Sequence, residues 1–227
     1  MNTEASSERL ARLETVLSVV LDISRRSAAS KDMHDFFRSV HVDVGRIMYA
    51  RNFYIALCDN NSEFIRYAYD SDEKDVQLDP AQQFALLPAA ESPTAWVIRS
   101  GQALNITAER FALLEAEGSE WGTGANPEHW LGMPLVDGDG RTFGAVVIQS
   151  YTLGVRYTDE DIALFELISS HISHAIEQVQ FTSRLEHAIV ERTSSLECEI
   201  AERRHGETLQ RALYEISALS VRGIDLD

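Results

Sequence analysis

The chain has 227 residues, is 44% hydrophobic and 25% charged, and carries a formal net charge of −16 with a pI near 4.8. Such a composition suits a globular core of one domain with helical extensions, while the acidic balance opposes binding to nucleic acid phosphates or anionic membrane surfaces. No run approaches the roughly 18 apolar residues of a membrane span, and the polar start MNTEASSERLARLE lacks the basic and apolar regions of a secretion signal. A cytoplasmic location is therefore expected. Cys58 and Cys198 stand far apart and outside any C-x-x-C pair, which excludes a disulfide framework or zinc knuckle; Cys58, inside FYIALC, reads as a small buried hydrophobe.

Leu10, Leu13, Leu17 and Val20, widened by Val16, Leu21 and Ile23, step by three and four. They predict an amphipathic helix over 7–27 whose narrow seam suits helix pairing. A second helix is expected over 32–49, burying Phe36, Phe37, Val40, Val44 and Ile47. Short aromatic-rich runs at 52–58 and 64–69, separated by Asp59-Asn60-Asn61-Ser62, predict a hairpin. Phe53, Ile55 and Leu57 share one face of its first strand, and Tyr54, Ala56 and Cys58 the other. A strand apolar on both faces belongs in the middle of a covered sheet. Residues 70–79 are acidic and polar and read as a loop.

Ser92 and Pro93 open a short helix as N-cap and first helical residue, and Gly101 closes it. A brief strand at 103–106 and a short helix at 108–117 follow, then a Gly-rich loop around Trp121-Gly122-Thr123-Gly124. Strands at 130–136 and 142–150 flank Asp137-Gly138-Asp139-Gly140, a strong hairpin cue. Thr158 caps the last helix, with Asp161 at the reciprocal position. Its stripe of Ile162, Phe165, Ile168, Ile172, Ala175, Ile176 and Val179 is broad enough to pack on a domain. Beyond Gln180 the stripe narrows to Leu185, Ile189, Leu196 and Ile200 among charged residues, which indicates a coiled-coil partner. LDIS at 21–24 is echoed by YEIS at 214–217, as if a repeat of the first helix began there. The expected division is an N-terminal helix over 1–30, a domain over 31–181, a coiled-coil linker over 182–207 and the start of a further, truncated module over 208–227.

Four segments together resemble the GAF domain family. They are PTAWVIRSGQ (93–102) followed by Leu104-Asn105-Ile106, WLGMPL (130–135), the Gly140 turn with FGAVVI (143–148), and YTDED (157–161) followed by Leu164 and Ala175-Ile176-Glu177. The family usually has a glycine where this chain has Ser92 or Pro93. The resemblance spans roughly 10–181 and implies an α+β fold, with a central, mainly antiparallel sheet, helices packed across a face, and N- and C-terminal signalling helices. It also implies a sensory, non-catalytic module. The tail around Glu191-Arg192-Thr193 and 199–204 looks similar to linkers that lead to a diguanylate cyclase or histidine kinase domain.

No nucleotide-binding, hydrolase or metalloprotease motif is present. His171 and His174, or His34 and His41, could share a helix face, but without matching cysteines or carboxylates they read as ordinary helix residues. His187 lacks the neighbours of a kinase phosphoacceptor. Neither cofactor nor metal is implied. The resemblance places a ligand pocket between the sheet and its short helices, where Phe84, Thr94, Trp96 and Trp121 would face Tyr54, Tyr67 or Tyr69; the competing reading is that these rings fill the core. The expected function is detection of an unknown small ligand or partner, with relay through a homodimeric helical bundle seamed by Leu10, Leu13, Leu17, Val20, Leu185, Ile189, Leu196 and Ile200. The alternatives are a ligand-free dimerisation spacer and, third, an enzyme of the same fold such as a methionine sulfoxide reductase.

Overall fold

A computed structural model describes residues 2–29, 32–59, 61–116 and 125–222. Alternating apolar residues broken by turn sequences build one antiparallel sheet. Its strands are β1 (Asn52–Cys58), β2 (Phe64–Ser71), β3 (Phe84–Ala85), β4 (Leu104–Thr107), β5 (His129–Val136) and β6 (Thr142–Ser150). They lie in the order β3-β2-β1-β6-β5-β4, so β1 and β6 are central. In the β5–β6 hairpin, Asp137 Oδ1 accepts the N–H groups of Asp139 at 3.0 Å and Arg141 at 2.8 Å.

Side-chain alternation gives the sheet two unlike faces. Phe53, Ile55 and Leu57 of β1, Leu131, Met133 and Leu135 of β5, and Val146 and Ile148 of β6 join one core. Onto it pack α1 (Asn2–Ala29), α2 (Met33–Val44) and the part of α5 (Asp159–Arg222) that precedes Gln180, through Val19, Ile23, Phe36, Phe37, Phe165, Ile168 and Ile172. The opposite face carries α3 (Pro93–Ser100) and α4 (Ala108–Ala116) over a smaller core of Val97, Ile98, Ile106, Phe111, Trp130, Ala145 and Val147.

The caps follow local chemistry. Ser92 accepts the Ala95 N–H, and Gly101 takes φ 65°, a left-handed conformation costly for any residue with a Cβ. Thr158 Oγ1 accepts the Asp161 N–H at 3.3 Å while Asp161 Oδ2 accepts the Thr158 N–H at 3.0 Å, a reciprocal capping box. One expectation is corrected here. The second helix stops at Val44, not 49, because Gly45 to Met48 turn back onto the carbonyls of His41, Asp43 and Val44. In β2, the pairing shifts between Ile55 and Ala56, so that Ile55 faces Tyr69 while Ala56 faces Tyr67. The extra residue, Ala68, is a β-bulge, and every side chain beyond it changes face.

Helix α1 carries two stripes. Val16, Val19 and Ile23 are buried on the domain; Leu10, Leu13, Leu17 and Leu21 are exposed and Val20 is half-buried. The chain divides into units Met1–Val179 and Gln180–Asp227. In the second unit Leu185, Ile189, Leu196, Ile200, Leu209 and Leu213 are exposed. No helix among the described residues is long and apolar enough to cross a membrane.

Candidate functional site

Over the α3 face lies a cavity of about 440 Å³, in the range of small-molecule sites. Its floor is built by alternation, with the β2 bulge adding Asp70: Tyr54 on β1, Tyr67 and Asp70 on β2, Trp130 on β5 and Gln149 on β6 all point away from the helical core. Thr94 and the N-terminus of α3 form one wall, Phe111 of α4 a second, and the loop 72–78 a third.

The floor is tied together by hydrogen bonds. Trp130 Nε1–H donates to Tyr54 Oη at 3.2 Å, and Tyr54 Oη lies 2.8 Å from Thr94 Oγ1. The rings of Tyr54 and Tyr67 meet edge-on at 5.6 Å, and Tyr67 meets Phe84 at 5.7 Å. Burial pushes the Tyr54 phenol far up, so it stays protonated. Trp130 reaches Tyr54 only because position 132 is glycine: an added Cβ there would fall 2.7 Å from Trp130 Cζ3.

The loop wall is organised by Asp72. Its Oδ1 accepts the N–H groups of Lys74 at 2.8 Å and Asp75 at 2.9 Å, an Asx turn. Its Oδ2 accepts from Gln149 Nε2 at 2.6 Å and Tyr151 Oη at 3.1 Å, which pins the loop to β6. Asp70 Oδ2 accepts the Leu78 N–H at 3.2 Å, and Asp75 Oδ1 accepts the Ala125 N–H at 3.2 Å. Burial raises the Asp70 carboxyl above the usual range, opposed by the Leu78 N–H and reinforced by the negative charges of Asp72 and Asp75. Arg99, which is not among the lining residues, spends its guanidinium on the carbonyls of Leu86 and Leu87, at 3.0 and 2.9 Å.

Of the residues singled out from the sequence, Tyr54, Tyr67 and Thr94 line this cavity. Phe84 and Trp96 pack against the smaller core without lining it, and Trp121 lies outside the described residues. Tyr69 is corrected: the bulge turns it to the helical face, where its ring meets His41 and Phe53. There its hydroxyl donates to His41 Nδ1 at 2.9 Å while His41 Nε2–H donates to the Ala50 carbonyl at 2.6 Å. His41 is therefore a neutral, satisfied core-edge histidine, its pKa lowered mainly by burial. Asp70, Asp72, Asp75, Phe111, Trp130 and Gln149 were not expected at the site. The alternation of β5 and β6 would have flagged Trp130 and Gln149; only the bulge brings in Asp70. Among the described residues no three His, Cys, Asp or Glu side chains are grouped to hold a metal ion.

The GAF domain family model matches residues 32–176. The chain belongs to the GAF domain family. Its fold is similar to the GAF domain of a phosphoenolpyruvate-protein phosphotransferase from Coxiella burnetii, with TM-score 0.59, 14% identity, and coverage of 75% of this chain and 98% of that one. The corresponding domain from Acinetobacter gives TM-score 0.56 and 14% identity over 74% of this chain and 97% of that one. Free methionine-R-sulfoxide reductase from Neisseria meningitidis, solved with its substrate, gives TM-score 0.56 and 11% identity over 74% and 91%. No curated protein matches the chain. GAF domains are sensory modules found in signalling proteins, and in this one the cavity sits between the sheet and α3.

Proposed function

We propose that this GAF domain detects a small organic molecule in the cavity over β1, β2, β5 and β6 and relays its occupancy through paired terminal helices. One observation carries the reading. The strands that supply the cavity floor with Tyr54, Trp130 and Gln149 supply the helical core with Phe53, Ile55, Leu131 and Ile148 from their other faces. A ligand that shifts those strands acts directly on the surface under α1, α2 and the start of α5, and packed interfaces respond to such shifts by switching between discrete arrangements.

The relay itself is a homodimer through the exposed stripe of α1 (Leu10, Leu13, Leu17, Leu21) and the exposed apolar residues of the second unit (Leu185, Ile189, Leu196, Ile200). It leads to an output domain such as a diguanylate cyclase or histidine kinase in a cytoplasmic protein. No catalytic role is proposed for this chain. Burial, with the neighbouring charge of Asp59, pushes the Cys58 thiol up to about 11, the opposite of an activated cysteine.

Two measurements test this. A thermal-shift screen against nucleotides, amino acids, fatty acids and heme should find a class that raises the melting temperature, since binding to the native state stabilises it; no shift with any class favours the ligand-free spacer. Sedimentation at roughly tens of micromolar should show a dimer that Leu13→Glu with Leu17→Glu dissociates without unfolding the domain. A monomeric parent chain refutes the relay.

A further inference from the structure

Among the described residues the charge lining the cavity has a single sign. Three carboxylates, Asp70, Asp72 and Asp75, reach it, and no described lysine, arginine or histidine lines it. Among the described residues none of the three carboxylates forms an ion pair. The cation nearest in sequence, Lys74, places its Nζ 4.3 Å above the centre of the Tyr151 ring. Asp72 is satisfied by four neutral donors. Asp70 and Asp75 each accept one backbone N–H, on Oδ2 and Oδ1.

A partly enclosed site with uncompensated negative charge favours a positive ligand, because water screens such charges less well there. The remaining lining adds a second, independent preference. The rings of Tyr54, Tyr67, Phe111 and Trp130 lie on the same cavity, and aromatic faces attract ammonium and guanidinium groups while also accepting an apolar body. The size of the cavity, about 440 Å³, is that of a small organic molecule. Nor do the aspartates converge as a three-ligand set for an inorganic ion among the described residues.

The geometry points to a small organic cation, an amine or guanidinium on an aromatic or aliphatic body, as the ligand class of this cavity. The assignment rests on the cavity being the ligand site of the GAF domain. In it the cationic head lies between Asp70 and Asp75 and the body against the aromatic floor. The bulge at Ala68 makes this possible, since strict alternation would have turned Asp70 toward the helical core.

Isothermal titration of the full chain with matched compounds tests the assignment. One set is phenethylamine, 2-phenylethanol and 3-phenylpropanoate; the other is isoamylamine, isoamyl alcohol and 4-methylpentanoate. In at least one set the amine should bind about tenfold more tightly than the alcohol, with the acid weakest, and raising salt from about 50 to about 500 mM should weaken the amine alone. Asp70→Asn and Asp75→Asn keep the acceptor for their backbone partners. Each should lower amine affinity about fivefold to tenfold, leave the alcohol unchanged, and leave the melting temperature within about 1 °C of the parent. Alcohols or acids that bind as tightly as the amines, or amine binding indifferent to both substitutions, overturn the charge preference and leave the cavity reading standing. Binding by none of the six at about 5 mM overturns both.

Discussion

Replacing Gly132 by alanine tests the construction of the site with the smallest possible change. The added methyl would fall 2.7 Å from Trp130 Cζ3 and 3.1 Å from Cζ2, and would overlap Cη2. Carbon atoms pack at about 3.5–4.0 Å, so the indole must retreat by about 1 Å. It has little room, being 2% exposed and bonded through Nε1 to Tyr54. Overpacking of this kind costs about 1–3 kcal/mol, and losing the Trp130–Tyr54 hydrogen bond adds about 1 kcal/mol. Alanine recovers about 0.5–1 kcal/mol by restricting the unfolded chain. The net expectation is a loss of about 2 kcal/mol, which for a domain of this size lowers the melting temperature by roughly 4–8 °C. Calorimetry on the full chain measures the shift, and tryptophan emission reports the displaced indole. A melting temperature within about 1 °C of the parent, with emission unchanged, would show that Gly132 does not hold Trp130 over the cavity floor.

The remaining predictions concern pH and the loop. Burial lowers the pKa of both His41 and His129, and His129 also donates to Asn105 Oδ1 at 2.6 Å and accepts the Tyr157 N–H at 3.0 Å. Below about pH 6.5 the unfolded chain takes up protons that the fold refuses, so stability falls with pH from there down to the folded pKa values. Urea midpoints from about pH 7.5 to about pH 5 should drop more steeply for the parent than for His41→Gln/His129→Gln; equal slopes exclude the histidines as the cause. Asp72→Ala removes the acceptor that holds Gln149, a 7% exposed side chain, and releases loop 72–78. It should cost about 1–3 kcal/mol in denaturant unfolding and speed proteolysis between 71 and 78, with Asp72→Asn intermediate. A cost under about 0.5 kcal/mol would mean that the loop is held by other contacts.

Order and type of most elements were legible along the chain because their signals are local; the two-residue β3 (Phe84–Ala85) was not among them. Ser92 and Gly101 mark both ends of α3, Asp137 to Gly140 join β5 and β6, and Thr158 with Asp161 opens α5. Each depends on residues within about five positions, where backbone conformation and side-chain reach decide the outcome. The two-faced character of β1 was equally plain, since period-two alternation puts Phe53 and Tyr54 on opposite sides whatever surrounds them.

The candidate site was legible only in part. Tyr54, Tyr67 and Thr94 follow from alternation and from the cap of α3, but Tyr69 and Asp70 exchange faces at a bulge whose cause is the register with β1. An acidic stretch that read as solvated loop becomes a cavity wall because Asp72 finds Gln149 and Tyr151, 77 and 79 residues away. In α1 the apolar pattern could not tell the buried Val16, Val19 and Ile23 from the exposed Leu10, Leu13 and Leu17, since both stripes repeat at helical spacing. Local sequence specifies caps, turns and periods; which face is covered, and where a strand slips by one residue, depends on free energy summed over partners distant in the chain.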